Sequence, residues 1–386
     1  MYTLDLPLST LLHIIPVLNV SIHADKLGAM ARPTIKDVAR HANVSIGTVS
    51  NVQNRPWVVA EATRERVLNA IDSLGFVWNG GARQLRGIRS PAIALIVLDF
   101  GNPFFTEVAR GVEQAASEAD HLVILASSNS AASREDRALR MLDEQRVAGI
   151  LMSPSSKTPS PRLREIRSHG TPVVLLDRHR SRRDQCSVAI NDTTGAAQVA
   201  RHLLDLGHRE IGLLNGPRYL KPCFERREGF LTVLADAGLE VAPAFDLEAP
   251  MTVEAGERAA GELFDGTGTP SALFCGNDLM AIGAERAALA RDLRIPEDVA
   301  IVGYDDVRFA ETSLVPLTSV RNPAYELGFR AAELLIEEVT NSEGHRHRSV
   351  LIEPELVVRQ STTGVRETVA RPGGARASTG AAALPA

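Results

Sequence analysis

The chain has 386 residues and a net charge of −5, length enough for a small head and a two-lobed body with cores of their own. Aromatic residues make up only 4%, so those cores must be built on Ala, Val, Leu and Ile. Cys186, Cys223 and Cys275 are odd in number, far apart and without CxxC spacing. That argues against a disulfide framework or a zinc site and fits a reducing cytoplasm, and no apolar run is long enough to span a membrane.

Residues 1–29 are set apart as an extension. LSTLLHIIPVLNVSIHA resembles a secretory apolar segment, but Asp5 precedes it, no Lys or Arg does, and His13 and Pro16 interrupt it. The preferred reading starts translation at Met30. The first folded unit is then expected over 32–78. Thr34 is placed to cap a first helix with Asp37 three residues on, and Ile35, Val38, Ala39 and Ala42 form one buried face. Asn43-Val44 turns the chain, Ser45 caps a second helix, and Val49 and Val52 face inward. Ile46, Gly47, Thr48, Ser50 and Asn51 are left outward, within reach of base edges and phosphates if this helix enters a major groove. Residues 61–75 predict a third helix with a stripe of Val67, Ala70, Ile71 and Leu74, stopped by Gly75.

Charge is distributed to match. Between Ala31 and Ser90 nine Arg or Lys stand against four Asp or Glu, a charge of +5; residues 1–30 carry −1, leaving −9 for residues 91–386. A basic head on an acidic body favours phosphate binding by the head alone. Residues 79–90 begin NGGARQLRG, basic and too short to be a stable helix alone. As a hinge helix formed on DNA, this stretch would offer Leu85 as a minor-groove wedge between Arg83 and Arg86.

From Pro91 the chain alternates apolar strands (IALIVLD, LVILASS, VAGILMS, PVVLLD, SVAI, EIGLLN, ALFCG, DVAIVGYD) with helical patterns over 104–119, 133–146, 192–206, 224–237 and 277–292. Repeated βα units predict doubly wound parallel sheets whose ligand groups gather at the carboxyl ends of strands, here Asn102, Ser153, Asp177, Asn277 and Asp305. Enzyme signatures are missing. GNPFF stands where a GxGxxG would follow the first strand, and there is no Walker A or GxSxG motif. His202 and His208 are six apart, a spacing that does not share a helix face, and His345 and His347 in GHRHR are read as a solvated turn.

From Arg32 to Gly364 the chain resembles the LacI/GalR family of bacterial transcription regulators. Twelve segments stand in family order: TIKDVARHANVSIGTVSNV, ATRERVLNAIDSLGF, NGGARQL, GNPFF, RVAGILMSPSS, PVVLLDR, NDTTGAAQVARHLLDLGHREIGLLNGP, RREGF, CGNDLMAIGA, IPEDVAIVGYDD, PLTSVRNPAYELG and LIEPELVVRQSTTG. The resemblance implies an α/β protein with an all-α helix-turn-helix head and hinge helix, then a body like a periplasmic binding protein over 91–364. Its two lobes are expected at about 91–190 plus 321–347 and about 191–320 plus 348–364, with crossovers near Ile190, Val320 and Arg348 and a disordered tail over 365–386. It further implies a cytoplasmic homodimer, a repressor on a pseudo-palindromic operator in double-stranded DNA, with a small carbohydrate-like effector between the lobes. No membrane partner, enzymatic activity, cofactor or metal is expected.

The DNA-contacting set expected is Thr34, Ser45, Ile46, Gly47, Thr48, Ser50, Asn51, Asn54, Asn79, Arg83, Leu85 and Arg86. The effector set is Phe104, Ser153, Asp177, Arg226, Asn277 and Asp305. By the resemblance, Arg226, three residues before Gly229-Phe230, matches the family's ligand-binding arginine, the alternative being a solvated helix charge, and Met251 falls about where relatives often carry an aromatic. Several positions depart from the family. Gly47 and Asn51 replace larger residues, Gln53 replaces an apolar one, Ala60 replaces a capping Ser or Thr, and Trp78 replaces Pro. Gly80-Gly81 weakens the hinge start. Operator preference therefore cannot be borrowed from a relative.

Overall fold

The computed structural model describes residues 32–78, 90–156, 160–178, 185–266 and 268–363. These fall into two compact units, a head (32–78) and a body (90–363). The readings made for residues 1–29, for Asn79, Arg83, Leu85 and Arg86, and for the tail lie outside the described residues.

In the head, α1 (Ile35–His41), α2 (Ile46–Asn54) and α3 (Glu61–Leu74) enclose a core of Val38, Ala39, Ala42, Val49, Val52, Val67 and Ala70. The local chemistry explains each boundary. The Asp37 carboxylate accepts from the Thr34 hydroxyl at 2.7 Å and from its N–H at 2.9 Å, and these bonds hold it below the usual carboxylate range. Ser45 Oγ accepts from the Thr48 N–H at 3.0 Å. Asn43 takes φ +51°, in the left-handed region that Asn tolerates in tight turns. Gly75 ends α3 at φ +60°, and Ala60 makes no side-chain cap at its start. Trp78 packs edge-on against Phe76, ring centroids 5.2 Å apart, at the border of this core.

The body holds two six-stranded sheets. The first is built from β1 (Ala92–Val97), β2 (Leu122–Ser127), β3 (Gly149–Met152), β4 (Val173–Leu176) and β5 (Cys186–Ile190), with α4 (Pro103–Glu118), α5 (Ala132–Glu144) and α6 (Pro161–Ser168) between them. The chain then builds the second sheet from β6 (Ile211–Asn215), β7 (Asp246–Glu248), β8 (Ala272–Cys275), β9 (Ala300–Asp305) and β10 (Thr318–Arg321). Helices α7 (Asp192–Asp205), α8 (Lys221–Asp236), α9 (Val253–Phe264) and α10 (Asp278–Leu289) accompany it. It returns through α11 (Ala324–Thr340) to β11 (Ser349–Ile352), and ends in β12 (Glu355–Val357) and α12 (Gln360–Thr363).

Strand order is β11-β5-β4-β3-β1-β2 in one sheet and β12-β10-β9-β8-β6-β7 in the other. All pairs are parallel except the antiparallel pair of β10 and β12. Strands β1, β3, β4, β5, β6, β8 and β9 are buried along their length, as continuous Val, Ile and Leu runs require. Among the longer apolar strands β2 departs from this: it forms an edge, and Leu122, Ile124 and Leu125 are exposed.

Two expectations need correction. The third crossing is not near Arg348, because Ser349–Ile352 pairs with Ser187–Ile190 in the first sheet. The chain passes to the second sheet only at Glu353-Pro354, so the first lobe keeps β11. Nor are the two histidines of GHRHR in a solvated turn. The His345 side chain is 1% exposed, packed against Cys186 and the end of α11.

Candidate DNA-binding face and ligand cleft

The outward side of α2 presents Ile46, Gly47 and Asn51 to solvent, with Thr48, Ser50 and Asn54 half-buried. Five of the expected contacts carry internal side-chain bonds: Thr34 with Asp37, the Ser45 cap with the Thr48 hydroxyl 2.9 Å away, and Asn54, whose amide donates to the Ser50 carbonyl at 2.8 Å and to the Ser50 hydroxyl at 3.2 Å. A Cβ at Gly47 would meet only Ser45 Oγ, at 3.6 Å, so nothing in the head demands glycine there. Just past α2, a short 3-10 turn at Pro56–Val58 leaves Trp57 78% exposed, an apolar feature the sequence reading passed over. Exposed Arg32, Lys36, Arg40, Arg55 and Arg66 surround this three-helix unit with positive charge.

Within the body, the carboxyl ends of both sheets open on one cavity of about 290 Å³. At its centre lies Arg226 on α8. Gly229, one turn later, explains its position: a Cβ there would lie 2.0 Å from the Thr193 carbonyl oxygen. Helices α7 and α8 therefore meet backbone to backbone, and Arg226 comes to rest beside Asp192, the residue before Thr193. Arg226 Nε donates to Asp192 Oδ1 at 2.8 Å, Nη1 to the Gly276 carbonyl at 2.6 Å, and Nη2 lies 3.3 Å from Asp305 Oδ1. Its guanidinium carbon sits 3.8 Å above the Tyr304 ring. Burial alone would lower the guanidinium's pKa, but Asp192 and Asp305 outweigh it and hold the group charged.

Asp305 ends β9 at φ +103°, a rare conformation for a residue with a Cβ. Its carboxylate accepts from Asn102 Nδ2 at 3.1 Å and from Asn322 Nδ2 at 2.9 Å. Asn102 is also the cap of α4, where its side-chain oxygen accepts from the Phe104 N–H at 3.0 Å. Burial pushes Asp305 upward, with Arg226 opposing. Asp177, at the end of β4 with φ +54°, is pushed up to about 6 by burial, against a lowering hydrogen bond from Ser153.

Four of the six expected cleft residues line the cavity together: Phe104, Asp177, Arg226 and Asp305. Ser153 and Asn277 do not. The Ser153 hydroxyl is spent on the Asp177 carboxylate. Asn277 is fully buried behind the wall, where its oxygen caps α10 by accepting from the Met280 N–H at 2.9 Å and its amide holds the Met251 carbonyl at 3.3 Å. Sequence reasoning missed Asp192, Asn322 and Asp99; Asn102, named among the strand-end polar groups but left out of the effector set, also lines the cavity. Asp192 follows a capping Asn191, so an acid in the first helical turn already had a local explanation. Cys223 and Met251 do reach the cavity, with their sulfurs 3.5 Å apart.

A three-helix unit with an outward capped helix, followed by a two-lobed α/β body with a buried polar cleft, defines a DNA-binding, ligand-responsive regulator. Comparison with known proteins gives the family. Residues 34–79 match bacterial regulatory proteins of the lacI family, and residues 200–362 match a periplasmic binding protein-like domain. The HTH-type transcriptional repressor PurR of Photobacterium profundum is 34% identical over 328 residues, covering 85% of this chain and 98% of that one. A transcriptional regulator CelR–cellobiose complex is similar at 33% identity, with TM-score 0.65, over 86% of this chain and 100% of that one. A lac repressor dimer bound to operator and the anti-inducer ONPF is 25% identical with TM-score 0.73, over 86% and 99% of the two chains. The chain belongs to the LacI family: it is a DNA-binding transcriptional regulator with a small-molecule effector, and not an enzyme. No helix among the described residues is long and apolar enough to cross a membrane.

Proposed function

We propose that this regulator is a cytoplasmic repressor that binds a pseudo-palindromic operator as a homodimer, and that a neutral polyhydroxylated effector, a sugar or sugar derivative, occupies the cleft. The observation that carries the effector reading is the charge of the cavity wall. Asp99, Asp177, Asp192 and Asp305 line it with Arg226 as the single guanidinium among the described lining residues. Carboxylates accept from hydroxyl donors, and an excess of them repels phosphate. Phe104 offers an apolar wall for a sugar's C–H face. The cellobiose complex of a 33% identical relative supports the same class.

For the dimer, the exposed Leu122, Ile124 and Leu125 on the edge strand β2 supply an apolar surface that a second copy would cover. Effector binding would change the angle between the lobes and with it the spacing of two hinge segments, each placing Leu85 at the operator centre.

A thermal-shift and calorimetric panel of neutral sugars, sugar phosphates and nucleobases tests the cleft. Neutral sugars are expected to bind and to alter operator affinity. Binding of phosphorylated ligands alone would overturn the reading. In the same assay Leu85→Gly is expected to weaken operator binding and leave effector binding unchanged.

A further inference from the structure

We propose that Cys186, Glu338, His345 and His347 form a four-ligand site for a zinc-class transition-metal ion. Cys186 opens β5, Glu338 lies in the last turn of α11, and the two histidines sit in the connector leading into β11, which pairs with β5. The cleft lies at the carboxyl ends of the strands; this cluster is at the opposite, amino-terminal end of the first sheet.

The four ligand atoms lie within 4.8 Å of one another. Cys186 Sγ is 3.1 Å from His345 Nε2 and 3.9 Å from His347 Nδ1, and Glu338 Oε2 is 3.9 Å from each of those nitrogens. In a zinc tetrahedron with metal–sulfur near 2.3 Å and metal–nitrogen or –oxygen near 2.0–2.1 Å, ligand atoms stand roughly 3.3–3.6 Å apart. The observed edges bracket that range, so small side-chain shifts would close the polyhedron.

A second observation points to a cation. Glu338 Oε2 is buried and has no hydrogen-bond partner among the described residues, a costly state for a carboxylate oxygen. His345, its side chain 1% exposed, turns Nε2 toward the thiol, while Nδ1, buried without a formed hydrogen bond among the described residues, has Glu337 Oε1 3.3 Å away. Glu337 in turn accepts from Arg348 Nη2 at 2.7 Å. A carboxylate behind a histidine is the arrangement that orients imidazole ligands toward metals. One thiolate, two imidazoles and one carboxylate suit zinc and disfavour calcium or magnesium, and four protein ligands make a closed, structural site. The ion would tie β5, the end of α11 and the entry to β11 at one point. Spacing rules look for local pairs, and Cys186 stands 159 residues from His345.

The full-length protein, stripped with chelator, is titrated with Co(II) and then Zn(II). One Co(II) per chain is expected, with a thiolate-to-metal band in the near ultraviolet and the visible bands of tetrahedral cobalt, all abolished by one equivalent of Zn(II). Cys186→Ser removes the thiolate band. Glu337→Gln, which touches no metal, weakens Zn(II) binding by about 10–100-fold. His347→Gln alters the most exposed ligand and guards against loss of fold; weakened binding with unchanged circular dichroism is the expected result. Folded wild-type protein without a thiolate–cobalt band, or with a band that persists undiminished in Cys186→Ser or His347→Gln, overturns the site.

Discussion

Arg226 keeps its charge in a buried position because Asp192 and Asp305 face it within ion-pair distance. Removing the guanidinium strands two carboxylates in a low-dielectric wall. Arg226→Ala is therefore expected to cost about 3–5 kcal/mol in urea unfolding as well as effector binding. Asp305→Asn should lose effector affinity with a smaller effect on stability, because its amide can retain one of the two asparagine contacts; unchanged affinity by calorimetry would remove Asp305 from the site. Arg226 and Asp305 were legible in the sequence, one by its place before Gly229-Phe230 and one as a strand-end carboxylate. Ser153 and Asn277 met the same strand-end criterion and failed it. A polar side chain beside a cleft can be consumed by a neighbour or a helix cap, and a chain read in one dimension does not say which.

Among the elements, the contact of α7 with α8 is the one that sets the cleft. Gly229→Ala would force Cβ into the Thr193 carbonyl and push the helices apart. A destabilisation of about 1–3 kcal/mol is expected, with effector binding lost as Arg226 moves from Asp192; calorimetry alongside urea unfolding checks both. In the head the expectation is opposite. Ala60→Ser supplies the missing cap of α3 and should raise head stability by about 1 kcal/mol. Gly47→Ala should add up to about 1 kcal/mol by helix propensity, since the space is open; thermal melts of the head read both. The long apolar strands were legible because burial on both faces leaves an unbroken hydrophobic run. β7, β10, β11 and β12 are as short as β3, β4 and β8 but are not buried along their whole length, so no fully apolar run marks them out. The third crossover was misplaced for that reason, since only pairing with β5 assigns Ser349–Ile352 to the first lobe.

Across the whole molecule, several buried carboxylates hold protons longer than they would in an unfolded chain. Burial pushes Glu285 from 4.5 up to about 8 and Asp177 from 3.8 up to about 6, and raises Asp278 and Asp305 in the same direction. For a raised carboxylate the folded state binds more protons, so its contribution is full below the unfolded value and fades as pH climbs through the folded one. These carboxylates are therefore expected to lower stability between about pH 4 and pH 8, each by up to about 1.4 kcal/mol per pH unit inside its own window, while His202 and His208, whose burial favours the neutral ring, oppose the decline as pH rises toward neutrality. Glu285→Gln should flatten the decline between pH 6 and 8; urea midpoints across that range check it. The Asn102–Asp305 hydrogen bond has a kinetic counterpart, for it joins a residue of the first lobe to one of the second. A guest that takes over those Asp305 oxygens must first unfasten the clasp, a unimolecular event that added solute cannot accelerate. Stopped-flow uptake should then level off at high concentration, and the tempo of the genetic response would be set inside the protein instead of by collision.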